Sequence, residues 1–155
     1  MTASHHIILV LWGQGFDEIA ASIFVGELRR LGKRVKLVGL NSQHIAGQHG
    51  LTLVPDLPLG QALRSANKIQ CVIIPAPLAV LQQFSYDPRL AELLGLAMSN
   101  QATVVVGALP TDNPSLYPNN PLLHFSSIHL IEYPSVEELM PFVQTVLSPR
   151  LAVDG

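Results

Sequence analysis

The sequence is poor in charged residues and in cysteine. Asp, Glu, Lys and Arg make up 13% of its 155 residues, against about 25% in an average soluble domain. The formal net charge is -2 and there is no basic run, which argues against nucleic-acid binding. Cys71 is the single cysteine. An intrachain disulfide is therefore excluded, and a reducing, cytoplasmic location is expected.

Long hydrophobic runs are absent too. No stretch approaches the roughly 20 apolar residues of a membrane helix, and the run Ile7–Trp12 is too short for a signal peptide. We therefore expect a soluble protein that does not bind membranes. Hydrophobic residues still make up 48% of the chain. With so few charges, this composition predicts that a second subunit covers part of the surface.

The most informative stretch present is Ala102–Val106, a β-branched apolar run followed by Gly107, Ala108, Leu109 and Pro110. A run that is apolar on both faces is typical of a strand in the middle of a parallel sheet. Ligands and catalytic groups sit at the carboxyl ends of such strands. The residues that follow this strand carry no side chain that could do chemistry.

The rest of the chain alternates between predicted strands and helices. Apolar runs predict strands, amphipathic spacing and capping residues predict helices, and Asp87 followed by Pro88 marks a helix start. The predicted strands are His6–Trp12, Arg34–Leu40, Ile69–Ile74 and Ile128–Tyr133, besides the central one. The predicted helices are Phe16–Leu31, Leu59–Ala66, Leu78–Phe84, Pro88–Ser99 and one from a capping arrangement at Ser135 to Leu147, with a hairpin over Gly47–Leu53. This alternation predicts an α/β domain with a mainly parallel, doubly wound sheet over residues 1–155.

Several segments together resemble the ThiJ/PfpI family of the class I glutamine-amidotransferase-like superfamily. They are ILVLWGQGFDEIAASIFVGELRRLGKRVKLVGL, LVPDLPL, CVIIPAP, TVVVGALPT and HLIEYPSVEELMPFVQTVL. The resemblance implies a flavodoxin-like three-layer sandwich, commonly a homodimer. Its active members are hydrolases, isocyanide hydratases and glyoxalase or deglycase-type enzymes.

The catalytic parts that the resemblance implies are missing at the matching positions. The family's cysteine nucleophile falls on Gly107, and the residue after it is Ala108. The acid that hydrogen-bonds to that cysteine falls on Ala20. The oxyanion-binding turn reads Pro75-Ala76-Pro77, in which Pro77 has no N–H and only the amide of Ala76 remains as a donor. The helix and hairpin that normally follow the nucleophile are replaced by the Pro/Asn-rich loop Ala108–Ser126.

We therefore expect a non-catalytic relative that binds a small molecule or a protein partner, with no cofactor and no metal. The candidate pocket residues are Trp12, Asp17, Glu18, Ala76, Gly107 and Ala108. One alternative is a cysteine-independent hydrolase, hydratase or lyase that uses Asp17 or Glu18, aided by a loop histidine such as His124. The other is a structural interaction module. Cys71 is expected to be a buried core residue, and His44 and His49 to be solvated loop residues that could meet across the hairpin.

Overall fold

A computed structural model of the chain describes residues 6–40, 44–84, 87–107 and 129–151. Its strands are β1 (Ile7–Trp12), β2 (Val35–Gly39), β3 (Ile45–Ala46), β4 (Thr52–Leu53), β5 (Leu57–Pro58), β6 (Ile69–Ile74), β7 (Thr103–Val106) and β8 (Leu130–Glu132). Its helices are α1 (Glu18–Arg30), α2 (Leu59–Ala62), α3 (Leu78–Gln82), α4 (Pro88–Ser99), α5 (Val136–Phe142) and α6 (Ser148–Arg150). A 3₁₀ segment, Leu63–Lys68, continues α2, and a π-helical segment, Val143–Leu147, joins α5 to α6.

Six strands form one sheet in the order β5-β2-β1-β6-β7-β8, and every pairing in it is parallel. The chain winds outwards from β1 in both directions, which confirms the predicted doubly wound sheet. α1 packs with α5 and the π-helical segment, whereas α2 and its 3₁₀ continuation pack with α4. β3 and β4 form a separate antiparallel hairpin, at the position where the sequence predicts one.

The burial of β1 and β7 explains why apolar runs of sequence form these strands. All six residues of β1 and all four of β7 are buried, as expected for strands covered by helices on both faces. Asp87 caps α4 by accepting a hydrogen bond from the Arg89 N–H at 2.9 Å, so the predicted start of that helix is confirmed. No helix within the described ranges is long and apolar enough to cross a membrane.

The C-terminal helix differs from its prediction in two ways. Ser135 occupies the N-cap position, but its side chain makes no capping hydrogen bond, so the predicted capping arrangement is wrong. The helix also does not continue regularly to Leu147, because Pro141 lies inside α5 and the π-helical segment follows. A proline has no N–H to donate to the preceding turn, so regular α-helical bonding is interrupted there.

The predicted helix Leu59–Ala66 is also shorter, because the tighter 3₁₀ segment takes over after Ala62. The predicted loop Ala108–Ser126 lies outside the described residues, as does the start of the predicted strand Ile128–Tyr133. The described part of that strand, β8, covers only Leu130–Glu132.

A buried carboxylate joins α1 to the C-terminal helices. Glu27 is 6% exposed and accepts two hydrogen bonds from the Arg30 guanidinium, at 2.9 and 2.5 Å. The Gln144 amide donates a third at 2.6 Å. The bonds from Arg30 and, secondly, the bond from Gln144 lower the pKa of Glu27 to about 2. Burial alone would raise this pKa, but the hydrogen bonds outweigh burial. The ionised carboxylate therefore stabilises the contact between the two helices.

The first prediction concerns acid stability. An unfolded glutamate has a pKa of about 4.3, so between roughly pH 4.3 and pH 2 the unfolded state binds more protons at Glu27 than the folded state does. The stabilisation is complete above this window and is lost as the pH falls through it. In Glu27→Gln, the melting temperature should fall less steeply across the window than in the wild type. Thermal unfolding monitored by circular dichroism tests this.

The exposed Glu92 in α4 provides the matched control, because Glu92→Gln removes a carboxylate that lies on the surface. Its pH profile should follow that of the wild type. A Glu27→Gln profile as steep as the wild-type profile would contradict a stabilising role for this carboxylate.

Candidate functional site

A crevice of about 520 Å³ opens beyond the carboxyl ends of β6, β7 and β8, beside the start of α1. This is where a doubly wound sheet places its ligand. The described residues that line it are Asp17, Gln48, Ala76, Pro77, Gly107, Glu132, Tyr133, Pro134, Ser135 and Val136. Three residues predicted from the sequence are therefore brought together here, namely Asp17, Ala76 and Gly107.

At the floor of the crevice, a tyrosine stands directly against Gly107. A Cβ atom built on Gly107 would lie 3.1 Å from the Tyr133 hydroxyl oxygen and 3.4 Å from the Ala76 carbonyl oxygen. Even a Cβ atom at position 107 would therefore press on the Tyr133 hydroxyl, which would have to shift by a few tenths of an ångström. This tight contact is possible because residue 107 is glycine.

Two contacts hold Tyr133 in this position. Its N–H donates to the Val106 carbonyl at 2.9 Å, and its ring meets the Phe24 ring edge to face, with the centroids 5.2 Å apart. Burial, and secondly the negative charge of Asp17, raise the pKa of the Tyr133 phenol well above its usual range. The hydroxyl is therefore protonated at neutral pH and can donate a hydrogen bond to a ligand.

The turn after β6 offers no backbone donor to the crevice. Pro75 and Pro77 have no N–H, and the Ala76 N–H donates to the Ile74 carbonyl at 2.9 Å. The expectation that the Ala76 amide remains as an oxyanion donor is therefore wrong. The reason is that the chain turns tightly between the two prolines and satisfies this N–H within the turn.

Asp17 begins α1 and faces the crevice. Its Oδ1 atom accepts hydrogen bonds from the backbone N–H groups of Ile19 at 3.0 Å and Ala20 at 3.2 Å. Asp17 is thus the N-cap of the helix, whose positive end favours its carboxylate. Ala20, the position at which the family resemblance places an acid, is fully buried in the core.

Glu18 is not among the residues that line the crevice, and it holds the hairpin turn. Its side chain is buried, with 1% of the residue exposed. The carboxylate accepts hydrogen bonds from the His49 N–H at 3.0 and 3.1 Å and from the Leu51 N–H at 2.7 Å. Burial raises the pKa of Glu18, but the backbone N–H bonds together outweigh burial and leave this pKa below its usual value. Glu18 therefore acts first as a structural anion.

The remaining predicted residues lie elsewhere. Trp12 is 2% exposed and packs in the core instead of lining the crevice, with its indole N–H donating to the Ile45 carbonyl at 3.3 Å. Ala108 and His124 lie outside the described residues. Cys71 is fully buried in β6, and burial raises the pKa of its thiol far above the usual range. Such a thiol is a core residue and not a nucleophile.

One group of side chains could hold a metal ion. Single ligand atoms of Asp17, Glu18 and His49 all lie within 4.8 Å of one another. The exposed His44 is not part of this group. The Nε2 atom of His49 lies 3.4 Å from Oδ1 of Asp17, so this histidine is paired with an acid and is not simply solvated.

Sequence reasoning missed the residues that complete the crevice, above all Tyr133, Gln48 and Ser135. Tyr133 ends the last predicted strand and Ser135 follows it by two residues, and the carboxyl end of a strand next to the central one is where a ligand-facing residue is expected. That signal was available for Tyr133. Gln48 lies in the hairpin turn, and nothing in its local sequence indicates which element the turn folds against.

The second prediction tests how closely the hairpin packs on Glu18. A Cβ atom on Gly47 would lie 2.5 Å from Oε1 of Glu18 and 2.7 Å from the Phe16 carbonyl oxygen. Because backbone must move to relieve this clash, Gly47→Ala should lower the free energy of unfolding by about 1–3 kcal/mol. Urea denaturation measures the change.

Gly95 in α4 is the matched control, because a Cβ atom there meets nothing within 4 Å. Gly95→Ala should raise the stability by up to about 1 kcal/mol, since alanine favours a helix interior more than glycine does. Equal effects of the two substitutions would refute close packing at Gly47.

The fold and site can now be compared with known proteins. The sequence profile of the DJ-1/PfpI family matches residues 6–109. A solved mutant of the DJ-1 superfamily protein STM1931 from Salmonella typhimurium has a TM-score of 0.76 at 16% identity, covering 96% of this chain and 91% of that chain. Drosophila melanogaster DJ-1beta has a TM-score of 0.74 at 21% identity, covering 95% and 90%.

A ThiJ/PfpI domain protein from Brachyspira murdochii has a TM-score of 0.70 at 15% identity, with 99% of this chain and 100% of that chain covered. A search of curated protein sequences finds no significant match. At these low identities the solved structures show a shared fold, which confirms the flavodoxin-like three-layer architecture. They do not transfer an activity.

Proposed function

We propose that this chain, which belongs to the DJ-1/PfpI family, is a non-catalytic member that binds a small polar molecule in the crevice at Gly107. The observation that carries the proposal is the contact between Gly107 and Tyr133. The Tyr133 hydroxyl lies 3.1 Å from where a Cβ atom at position 107 would be. Even the first atom of a side chain at this position, where the family resemblance places the nucleophile, would therefore crowd the tyrosine.

The surroundings of Gly107 also support a loss of covalent chemistry. Acyl-transfer and related reactions need backbone donors aimed at the developing oxyanion, and loss of one donor costs about a hundredfold or more in rate. Here the only N–H of the Pro75-Ala76-Pro77 turn is used by the Ile74 carbonyl. With glycine at position 107 and no backbone donor from this turn, the part of the crevice that the structure describes favours binding over turnover.

The crevice keeps the features of a binding site. Its volume of about 520 Å³ lies within the usual range for small-molecule pockets, roughly 300–1,000 Å³. Asp17 offers a carboxylate, Gln48 an amide and Tyr133 a protonated hydroxyl. A few polar groups on a rigid scaffold suit recognition of a small molecule with both hydrogen-bond donors and acceptors. A protein segment that presents such groups is the alternative ligand.

The third prediction concerns ligand binding. Native mass spectrometry of untagged protein from its own host should reveal a reproducible non-covalent adduct. Tyr133→Phe removes only the hydroxyl and preserves the edge-to-face contact with Phe24, so the adduct should weaken while the fold is retained. Phe84→Leu, which changes a core ring that contacts Phe16, serves as the control for general packing effects.

Turnover assays separate this proposal from the enzymatic alternative. With glyoxal-type and ester substrates, the wild type and Asp17→Asn should give the same rate as buffer. Of the two acids that the sequence suggests for a cysteine-independent mechanism, Asp17 is the one that lines the crevice, and it lies 3.4 Å from His49. Turnover that disappears in Asp17→Asn would overturn the non-catalytic assignment.

We further propose that the protein is a cytoplasmic homodimer. The low charge content and the exposed apolar residues of the C-terminal helices support this. Val136 and Met140 are 39% and 46% exposed, and Val146 is 49% exposed. Val136 and Met140 are four residues apart, so they share one face of α5. A second copy of the chain would remove this face from water. The single, buried Cys71 is compatible with a reducing compartment.

The fourth prediction tests the location of this interface. Met140→Glu places a charge on the exposed face of α5 and should convert the dimer to a monomer, as measured by size-exclusion chromatography with light scattering. Met98→Glu is the matched control, because Met98 is similarly exposed, at 42%, but lies on α4. Dissociation by Met98→Glu alone would move the interface to α4, and a wild-type monomer would refute the dimer.

A further inference from the structure

We propose that Asp17, Glu18 and His49 bind one divalent transition-metal ion of the zinc class at the edge of the crevice. This inference is independent of the small-molecule ligand proposed above. It rests on three converging side chains from two elements, the start of α1 and the turn of the β3–β4 hairpin. One of the three donors is an imidazole nitrogen, so the group is more than a cluster of acids.

The spacing of the His49 and Asp17 donor atoms fits a shared metal ion. Zinc binds histidine nitrogen and carboxylate oxygen at about 2.0–2.2 Å in tetrahedral geometry, so two of its ligand atoms are about 3.4 Å apart. The Nε2 atom of His49 lies 3.4 Å from Oδ1 of Asp17. This separation is longer than the usual 2.7–3.2 Å of an N–H···O hydrogen bond. The third ligand atom, from Glu18, lies within 4.8 Å of these two atoms, an upper limit wider than the tetrahedral spacing, so zinc binding would draw the three atoms together.

The contact between Gln48 and His49 also supports a metal site. The Gln48 amide nitrogen lies 3.3 Å from Nε2 of His49. An amide NH₂ group is a donor, so Nε2 accepts this bond in the tautomer that carries its proton on Nδ1. In that tautomer the Nε2 lone pair is available to a metal ion. A cation bound by Nε2 of His49 and Oδ1 of Asp17 would replace the direct contact between the two atoms.

Glu18 retains coordinating capacity despite its structural role. Its Oε1 atom accepts one hydrogen bond, from the His49 N–H, whereas Oε2 accepts from both His49 and Leu51. A carboxylate oxygen has two lone pairs, so Oε1 can still bind a metal ion. The same backbone bonds fix the carboxylate, as outer-shell partners fix the ligands of known metal sites.

The donor set determines the class of ion. One imidazole nitrogen with two carboxylate oxygens suits Zn²⁺ and its Co²⁺ and Ni²⁺ analogues, whereas Mg²⁺ and Ca²⁺ prefer all-oxygen sites. Three protein ligands leave a fourth position for water or another molecule, as in open zinc sites. Asp17 also lines the crevice, so this position would lie at the crevice edge.

The fifth prediction is tested by titrating chelator-treated protein with ZnCl₂ in a calorimeter. The wild type should bind one Zn²⁺ ion per chain. His49→Ala should weaken zinc binding by at least about tenfold, the lower limit of what loss of even an outer-shell partner costs. Asp17→Asn should weaken it too, although asparagine can still cap α1. With Co²⁺ as the probe, His49→Ala should change the visible absorption spectrum.

His44→Ala is the matched control, because His44 is also exposed and lies just before β3 of the same hairpin. His44→Ala should leave the zinc affinity unchanged.

His49 is 41% exposed, so the fold tolerates its replacement. His49→Gln provides a second variant of similar size. The proposal is overturned if the wild type binds no zinc, which would indicate an ordinary imidazolium–carboxylate pair. It is also overturned if His49→Ala and His49→Gln retain wild-type affinity or if His44→Ala removes binding.

Discussion

The arrangement of the candidate site depends on how one buried carboxylate is compensated. Glu18 is 1% exposed, and an isolated charge in such a place would be costly. Backbone N–H groups of His49 and Leu51, which belong to the hairpin turn, compensate this cost by donating hydrogen bonds to the carboxylate. The hairpin is therefore fixed to the start of α1. As a result, Gln48 reaches the crevice wall and the imidazole of His49 reaches Asp17.

A second constraint operates where β7 ends. The strand is buried, so any side chain on Gly107 would enter a space that is already bounded by the Ala76 carbonyl and the Tyr133 hydroxyl. Tyr133 is itself fixed by Phe24, which lies in α1. The residue at position 107 and the ring at position 133 therefore constrain each other. Glycine at the first position is compatible with tyrosine at the second, and the pair closes the floor of the crevice without a reactive group.

Much of the fold could be predicted from local sequence. Apolar β-branched runs identify β1, β6 and β7, and the Asp87-Pro88 pair identifies the start of α4, because these signals depend on neighbours along the chain. The C-terminal helix was predicted less well. A capping sequence at Ser135 does not ensure a capping bond, and the effect of Pro141 on the following turn depends on how the helix packs.

The site could be predicted only where it lies at the ends of strands and helices. Asp17, Ala76 and Gly107 follow β1, β6 and β7 closely, so topology alone brings them together. The direction of the Ala76 N–H, the burial of Trp12 and the approach of Tyr133 depend on contacts between distant parts of the chain. The same holds for the bond from His49 to Glu18, which joins residues 31 positions apart. No local pattern encodes such a contact.

These observations also explain why two adjacent acids have different roles. Asp17 and Glu18 both lie at the N-terminal end of α1, where either carboxylate would complement the helix dipole. Asp17 is the N-cap, with an extended backbone, and its carboxylate bonds the N–H groups of Ile19 and Ala20. Glu18 is the first helical residue, and its carboxylate accepts hydrogen bonds from the hairpin turn. The degree of burial of each carboxylate then determines its role. The enclosed carboxylate of Glu18 needs the backbone N–H groups of the hairpin as partners, whereas the Asp17 carboxylate lines the crevice in which a small ligand would bind.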